Sequence, residues 1–183
     1  MADVLLLIDV QKAFDDPRMG ANRNNAAAER NIARLLEAWR RSRRPVVHVR
    51  HMSREPQSPL RPGLPGNEFK DEARPLSGEP VLEKSVNSAF IGTDLEQRLH
   101  AMGCERLVIA GLTTDHCVST TVRMAANLGF RTVVVEDCTA TYDRQTHDGR
   151  TLPAADVHAA ALASLHGEFA QVTSSDELLR SHP

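Results

Sequence analysis

The stretch GLTTDHCVSTTVR, from Gly111 to Arg123, contains a cysteine directly after a histidine and an arginine six positions later. Two kinds of cysteine chemistry fit this arrangement. In the first, Cys117 attacks phosphorus while Arg123 binds the phosphate oxygens. In the second, a turn between a strand and a helix presents the Cys117 thiol to a carbonyl carbon. These interpretations predict different enzymes, a phosphatase and an acyl-transfer hydrolase.

The residues between Cys117 and Arg123 argue against a phosphatase. A phosphate-binding loop surrounds the anion with backbone N–H groups and usually needs glycine, but the intervening residues are VSTTV. Val118, Val122 and Ala125 follow helical spacing instead. Six residues on a helix give a net turn of roughly 240° and a rise of about 9 Å, so Arg123 would point away from Cys117.

The alternative places Cys117 in the first turn of a helix that follows a strand ending at Gly111. Helix N-terminal N–H groups lower the pKa of a thiol and bind anions. A buried cysteine that only fills space explains the local sequence equally well. Asp9 and Lys84 favour a reactive cysteine over one that only fills space. Each ends an apolar run, where desolvating a charge costs several kcal/mol. They are either a structural ion pair or the base and cation beside a cysteine nucleophile.

The elements that position these residues alternate between strands and helices. Strands are predicted at 4–10, 46–49, 80–85, 106–111, 131–137 and 168–173, and helices at 26–44, 93–103, 115–128 and 154–167. This alternation predicts an α/β fold, a three-layer α/β/α sandwich around a six-stranded, mainly parallel, Rossmann-like sheet. Ligands bind such sheets outside the carboxyl ends of the strands, where Asp9, Lys84 and Cys117 fall.

The segment from about residue 50 to 80 is predicted to be an irregular loop insertion. It contains six prolines between Pro56 and Pro80, and a loop of this length is usually a lid or a wall of a site. Its arginines Arg54 and Arg61 either bind a carboxylate or ureido group or are solvated charges. Beyond the loop, we expect Thr93 to cap the second helix, with Glu96 as its capping-box partner.

Composition excludes several classes of function. The 183 residues carry a formal net charge of −2, which gives no electrostatic reason to expect nucleic acid or an anionic membrane. Three cysteines do not make a disulfide framework, and reduced thiols fit a cytosol. The apolar opening MADVLLLIDV is shorter than the ~20 residues of a membrane span and lacks the basic leader of a signal peptide. We therefore expect a cytoplasmic protein.

Three blocks, LLLIDVQKAF, EKSVNSAF and GLTTDHCVSTTVRMAANLGF, resemble the signature blocks of the isochorismatase-like cysteine hydrolases, which include the nicotinamidases. The resemblance extends from Val4 to Thr173. It implies one hydrolase domain over residues 1–183 that cleaves a C–N bond of a small amide, ureido, lactam or imide substrate through a thioester. Family members that cleave the vinyl ether of isochorismate lack the nucleophilic thiol. A non-enzymatic alternative, a redox-sensing thiol, leaves Asp9 and Lys84 unexplained.

The resemblance also implies roles for individual residues. Asp9, Lys84 and Cys117 would form the catalytic triad. A cis peptide between Leu112 and Thr113 would direct the backbone N–H groups of Thr113 and Cys117 at an oxyanion. The residues implied around the substrate are Phe14, Asn87, Ser88, Phe90 and His116.

Metal-binding members of the family carry an Asp-x-His pattern beyond the second strand. Here Arg50 and Met52 stand where Asp and His would be expected, and His48 and His51 without a carboxylate make a poor site. We therefore expect no metal and no other cofactor. The family also implies a homo-oligomer, a dimer or larger.

Overall fold

The structure, a computed structural model, describes residues 2–181. Eight strands are present: β1 (Ala2–Ile8), β2 (Val46–His51), β3 (Val81–Lys84), β4 (Cys104–Leu112), β5 (Arg131–Ala140), β6 (Arg144–Gln145), β7 (Thr151–Leu152) and β8 (Gln171–Thr173). Six of them form one sheet in the order β3-β2-β1-β4-β5-β8, and every neighbouring pair is parallel. The short strands β6 and β7 form a separate antiparallel pair.

Five helices cover the two faces of the sheet. They are α1 (Ala28–Arg41), α2 (Leu95–Ala101), α3 (Ser119–Asn127), α4 (Ala154–Leu165) and α5 (Ser175–Arg180). Leu5 and Leu7 of β1 share a core cluster with apolar residues of α1 and α5. Leu6 and Ile8 point to the opposite face and share a cluster with apolar residues of α2, α3 and α4. Alternation along one strand thus divides the core into two layers, and the predicted α/β/α sandwich is confirmed.

The central position of β1 follows from its composition. Val4 to Ile8 is a continuous apolar run, and each of these side chains is at most 1% exposed, as expected of a parallel strand covered on both faces. Burying a leucine side chain contributes about 1.5–3 kcal/mol. This burial fixes the register of β1 against β2 and β4, so Asp9 emerges between the ends of these two strands.

Several local features differ from the sequence prediction. Helix α2 begins after Asp94, whose side chain makes no capping hydrogen bond. The Thr93 hydroxyl accepts from the Leu95 N–H and donates to the Ala89 carbonyl, but Asp94 takes the N-cap position, so the predicted capping box of Thr93 and Glu96 is wrong. Helix α5 and the β6–β7 pair were not predicted, because both are too short to show a periodic pattern. The predicted loop contains only two single 3₁₀ turns, Pro65–Asn67 and Asp71–Ala73. No helix within residues 2–181 is both long and apolar enough to cross a lipid bilayer.

Candidate active site

The ends of β1 and β4 approach each other closely. Gly111 has a φ of 131°, and a Cβ atom there would lie 2.0 Å from the Ile8 carbonyl oxygen, so only glycine fits. Asp9 has a φ of 51°, a conformation that costs a residue with a side chain about 1–2 kcal/mol and that persists mainly at functional sites. The predicted cis peptide between Leu112 and Thr113 is present.

The structure brings Asp9, Lys84 and Cys117 together. The Lys84 ammonium donates to Asp9 Oδ2 at 2.6 Å and to Cys117 Sγ at 3.3 Å. The Lys84 and Asp9 side chains are 0% and 1% exposed, so their Coulomb attraction is weakly screened. Asp9 Oδ1 is buried and has no hydrogen-bond partner among the described residues. A carboxylate oxygen, the sulfur and a nitrogen of His51 lie within 4.8 Å of one another.

Burial makes Cys117 a thiol rather than a thiolate at rest. Burial and the neighbouring Asp9 carboxylate raise the Cys117 pKa to about 12, against the opposing effect of the Lys84 ammonium. The net shift of the Cys117 pKa is therefore upward, opposite to the lowering that a helix N-terminus by itself would give. The local geometry agrees, because Cys117 lies in a π-helical turn, Thr114–Val118, before α3 begins. Activation requires a base, and the unpartnered oxygen of Asp9 is a proton acceptor at the right place.

The triad lies at one end of a cavity of about 290 Å³. The predicted residues that line this cavity are Asp9, Phe14, Asn87, Thr113, His116 and Cys117. Arg18, Met19, His51, Leu60 and Arg144 also line it but were not predicted to contact substrate. Asn87 Nδ2 lies 3.7 Å from Cys117 Sγ. Lys84 is buried and does not line the cavity, but it contacts Asp9 and Cys117, which do.

Two residues predicted to contact substrate lie outside this cavity. The Phe90 ring stacks on Phe130 with centroids 6.1 Å apart, as part of the core layer beneath α2, α3 and α4. Ser88 is buried, and its hydroxyl accepts a hydrogen bond from the Phe90 backbone N–H. Arg54 and Arg61 do not line the cavity either; Arg61 donates to the Pro56 carbonyl within the loop.

A half-buried carboxylate holds the catalytic turn in place. Asp115 accepts hydrogen bonds from Arg144 Nε at 2.7 Å and from the Thr141 hydroxyl. Burial opposes ionisation of Asp115, but these two donors outweigh burial and lower its pKa to about 2. The turn is also tied to α4, because the Thr114 hydroxyl is 2.9 Å from Nδ1 of His158. Neighbouring elements thus fix the backbone of the turn that carries Cys117.

The phosphatase interpretation fails on the position of Arg123. Its guanidinium donates to the Ser164 hydroxyl at 2.6 Å and lies over the Phe169 ring at 4.5 Å from the centroid. Ser164 belongs to α4 and Phe169 follows that helix, and Arg123 does not line the cavity. The helical rotation expected from the sequence has separated the arginine from the thiol.

A metal does not fit the acidic and thiol groups of the site. Asp9, His51 and Cys117 form the one group of potential ligands close enough to share an ion within residues 2–181. Lys84 Nζ already lies 2.6, 3.0 and 3.3 Å from these three side chains. A divalent cation in the same place would meet the ammonium charge at close range. His48, the other candidate, pairs with Glu79 at 2.8 Å and does not line the cavity.

Gln11 joins the site to the long loop. Its amide nitrogen donates to the carbonyls of His51 and Asn67, and its amide oxygen accepts from the His51 N–H at 2.8 Å. These bonds fix the end of β2 beside the cavity. His51 ends β2 and could have been recognised as a site residue by its polar side chain at a strand end, the feature that identified Asp9 and Lys84.

Comparison with known proteins agrees with this architecture. The family model of the isochorismatase domain matches residues 3–177. The isochorismatase family protein YrdC of Bacillus subtilis is 43% identical over 96% of this chain and 93% of its own length. The crystal structure of a putative hydrolase of the isochorismatase family from Chromobacterium violaceum is 48% identical, with a TM-score of 0.94 over 98% of this chain and 93% of that one. The chain therefore belongs to the isochorismatase family.

Relatives with named activities are hydrolases. The structure of N-carbamoylsarcosine amidase from Thermoplasma acidophilum has a TM-score of 0.76 and 29% identity over 96% of this chain and 98% of that one. Other family relatives are named as an amidohydrolase, a nicotinamidase and a streptothricin hydrolase. Membership of this family makes the protein a hydrolase.

Proposed function

We propose that this protein is a cysteine-dependent amidohydrolase that cleaves a C–N bond of a small amide, ureido, lactam or imide substrate. The observation that carries the proposal is the contact of one buried ammonium, Lys84, with both Asp9 and Cys117 beside a cavity. The names of the relatives support C–N cleavage, since they include maleamate amidohydrolase of Pseudomonas putida, ureidoacrylate amidohydrolase of Variovorax paradoxus and nicotinamidase 3 of Arabidopsis thaliana.

Asp9 is the general base and then the general acid. It takes the proton from the Cys117 thiol on its unpartnered oxygen while Lys84 stabilises the developing thiolate. The sulfur then bonds to the carbonyl carbon, and the carbonyl oxygen becomes an oxyanion. As the C–N bond breaks, Asp9 returns the proton to the leaving nitrogen. Ammonia or an amine then departs, or, with a lactam or imide, the ring opens and the nitrogen stays attached to the acyl chain. The acyl group remains on sulfur as a thioester.

Hydrolysis of the thioester completes the cycle. Asp9, again a carboxylate, removes a proton from a water molecule that attacks the acyl carbon. The C–S bond breaks, the carboxylic acid leaves, and the sulfur recovers a proton from Asp9. The oxyanion in both steps would be bound by the backbone N–H groups of Thr113 and Cys117, whose residues line the cavity. Losing one such donor typically raises the barrier by about 3 kcal/mol.

The surroundings of the thiol favour this function over redox sensing. A redox-sensing cysteine reacts as an exposed thiolate. Cys117 is buried, and its pKa is raised to about 12 by burial and by Asp9. Such a thiol is unreactive until a base removes its proton, and Asp9 is placed to do so. The size of the cavity, about 290 Å³, suits a small substrate.

An ammonia-release screen of the purified protein tests the proposal. The panel contains maleamate, ureidoacrylate, nicotinamide and N-carbamoylsarcosine. Simple lactams and imides release no ammonia when their rings open, so they are followed by chromatography of the ring-opened acid. Cys117→Ala should lower turnover of any active compound by about a thousandfold or more. Cys138→Ala is the matched control, because Cys138 is buried on the other face of the sheet and should retain activity. Substantial turnover by Cys117→Ala would rule out the thioester route.

A further inference from the structure

His51 is an ionisable cavity residue in contact with the triad that the proposed mechanism leaves unused. It ends β2, and its Nδ1 lies 3.0 Å from Lys84 Nζ and 4.0 Å from Asp9 Oδ2. One ring nitrogen is within 4.8 Å of both Cys117 Sγ and a carboxylate oxygen of Asp9. An acyl carbon bonded to Cys117 would therefore bring its substituents within reach of the imidazole ring.

Lys84 determines which nitrogen of His51 carries the hydrogen. The Lys84 ammonium has three donor hydrogens and no acceptor, and four acceptors lie around it: Asp9 Oδ2, His51 Nδ1, the Val86 carbonyl and Cys117 Sγ. A hydrogen on Nδ1 would point at the ammonium 3.0 Å away, so Nδ1 of His51 is the unprotonated nitrogen. In a neutral imidazole the hydrogen is then on Nε2. Burial and the Lys84 charge both lower the His51 pKa, against the opposing effect of Asp9. The ring is therefore neutral near pH 7.

The second nitrogen of His51 is available to a ligand. Apart from the contact with Lys84, no hydrogen bond within residues 2–181 engages the ring, and the residue lines the cavity. Gln11 hydrogen-bonds to both the carbonyl and the N–H of the His51 backbone, so the position of the backbone that carries the ring is fixed. These features describe a neutral, oriented N–H donor beside the nucleophile.

We propose that His51 is a specificity-determining residue whose Nε2–H donates a hydrogen bond to an acceptor atom on the acyl part of the substrate. The acceptor is a carboxylate oxygen, a second carbonyl oxygen or a ring nitrogen, a few bonds from the scissile carbonyl. The preferred substrates are therefore small amides that carry such an acceptor. This inference rests on the proposed hydrolase function and adds the feature by which the site selects its substrate.

The hydrogen position is measurable without turnover. Nitrogen-15 NMR of the histidine-labelled protein, with His51→Asn used to assign the signal, should show a protonated Nε2 and an unprotonated Nδ1 at pH 7. Lys84→Met should release this preference. A protonated Nδ1, or an imidazolium, would overturn the inference even if the protein proved to be an active amidohydrolase. Conversely, the expected tautomer in a protein that hydrolyses no amide would overturn only the proposed function.

Two variants separate the nitrogens of His51 in the kinetic test. His51→Asn places an amide near Nδ1 and keeps an acceptor for Lys84, whereas His51→Gln extends an amide donor towards the position of Nε2. The substrates are maleamate and nicotinamide, each paired with an analogue without the acceptor, cis-2-butenamide and benzamide. For the wild-type protein, kcat/KM should be higher on the member of each pair with the acceptor.

His51→Asn should reduce this discrimination about tenfold, mainly through KM, as expected for one lost hydrogen bond. His51→Gln should restore part of it. A wild-type protein that prefers the analogues without an acceptor would overturn the proposal. The proposal would also be overturned if His51→Asn lowered kcat equally for both members of each pair. That result would show that His51 only positions Lys84.

Discussion

Two buried lysine–carboxylate pairs in this molecule have the same kinds of charged group and different surroundings. Lys84 contacts Asp9 at 2.6 Å in the candidate active site, and Lys70 contacts Glu29 at 2.8 Å beneath the loop that follows β2. Glu29 is also paired with Arg23 at 2.7 Å, and Lys70 is also paired with Asp15. In this second group each of the two central residues, Glu29 and Lys70, has two partners of opposite charge. We call the four residues Asp15, Arg23, Glu29 and Lys70 the Glu29 network.

The difference between the pairs lies in the groups that surround each carboxylate. Burial opposes ionisation of Glu29, but hydrogen bonds from Arg23 and Lys70 outweigh it and lower the pKa of Glu29 to about 2. Asp9 and Glu29 each have one buried oxygen without a hydrogen-bond partner, but that oxygen of Glu29 lies 2.7 Å from Arg23 and 2.8 Å from Lys70, whereas Asp9 has a thiol nearby. The Glu29 network borders a depression of about 590 Å³, larger than the active-site cavity, but no cysteine or histidine lines it. Cavity size and charge alone would have selected this depression as the candidate site.

The largest contrast is expected from the two lysines. Lys84→Met removes the cation that stabilises the Cys117 thiolate and should lower kcat/KM about a thousandfold, equivalent to about 4 kcal/mol of barrier. Lys70→Met makes the same chemical change in the Glu29 network and should leave kcat/KM within about tenfold of wild type. Both values come from ammonia release with an active amide. Equal losses of activity would show that the two pairs do not differ in function.

A smaller effect is expected from a substitution at Gly111, where the backbones of β1 and β4 approach each other and bring Asp9 close to the thiol. Gly111→Ala should lower the free energy of unfolding by about 3–4 kcal/mol, because the new Cβ meets the Ile8 carbonyl oxygen at 2.0 Å. Gly129→Ala is the control, since its φ is 89° but no atom lies within 4 Å, and should cost about 1–2 kcal/mol. Urea denaturation measures both. Similar values for the two would mean that the approach of β1 and β4 is not tight.

Glu29→Gln tests the structural side of the comparison. It leaves Arg23 and Lys70 with only one carboxylate and should destabilise the fold by about 3 kcal/mol, as expected when one partner of a buried pair is removed. Turnover at a temperature where the variant is folded should be retained. A stable variant with little activity would contradict the structural role of this network. Urea denaturation and ammonia release on the same preparation distinguish these results.

Acid unfolding gives the smallest expected effect. The pKa of Asp115 is about 2, below its ordinary value of 3.8, so its ion pair with Arg144 stabilises the fold above pH 4 and this contribution is lost as the pH falls towards 2. The lowered pKa corresponds to about 2 kcal/mol. Asp115→Asn should be less stable than wild type by about this amount at pH 7, and the gap should close as the pH is lowered.

Asp94→Asn is the control for the acid series. Asp94 pairs with Arg98 on the surface of α2, and both side chains are more than two-fifths exposed, so solvent screens the pair. Its stability curve should follow that of the wild-type protein. An Asp115→Asn curve that also followed the wild type across the whole pH range would show that Asp115 does not stabilise the catalytic turn.

The apolar strands and the residues at their ends were predictable from sequence, and the finer geometry was not. The run from Val4 to Ile8 and the glycines at 103, 111 and 129 mark element ends by local chemistry alone. Phe90 was predicted to line the substrate site, but Phe130, forty residues away, draws its ring into the core. His51 was considered only as a metal ligand, because nothing in its neighbourhood along the chain indicates that Lys84 occupies the space an ion would need.

Local composition established that this chain forms a parallel α/β sheet with an acid, an amine and a thiol at the carboxyl ends of its strands, because strand periodicity and glycine turns act over a few residues. The reactivity of these groups depends on distant packing. Only the assembled fold buries Cys117 enough to raise its pKa, leaves one oxygen of Asp9 without a partner and turns Nδ1 of His51 towards Lys84. Desolvation and hydrogen bonding are properties of neighbours in space, and these neighbours come from β1, β2, β3 and the turn after β4.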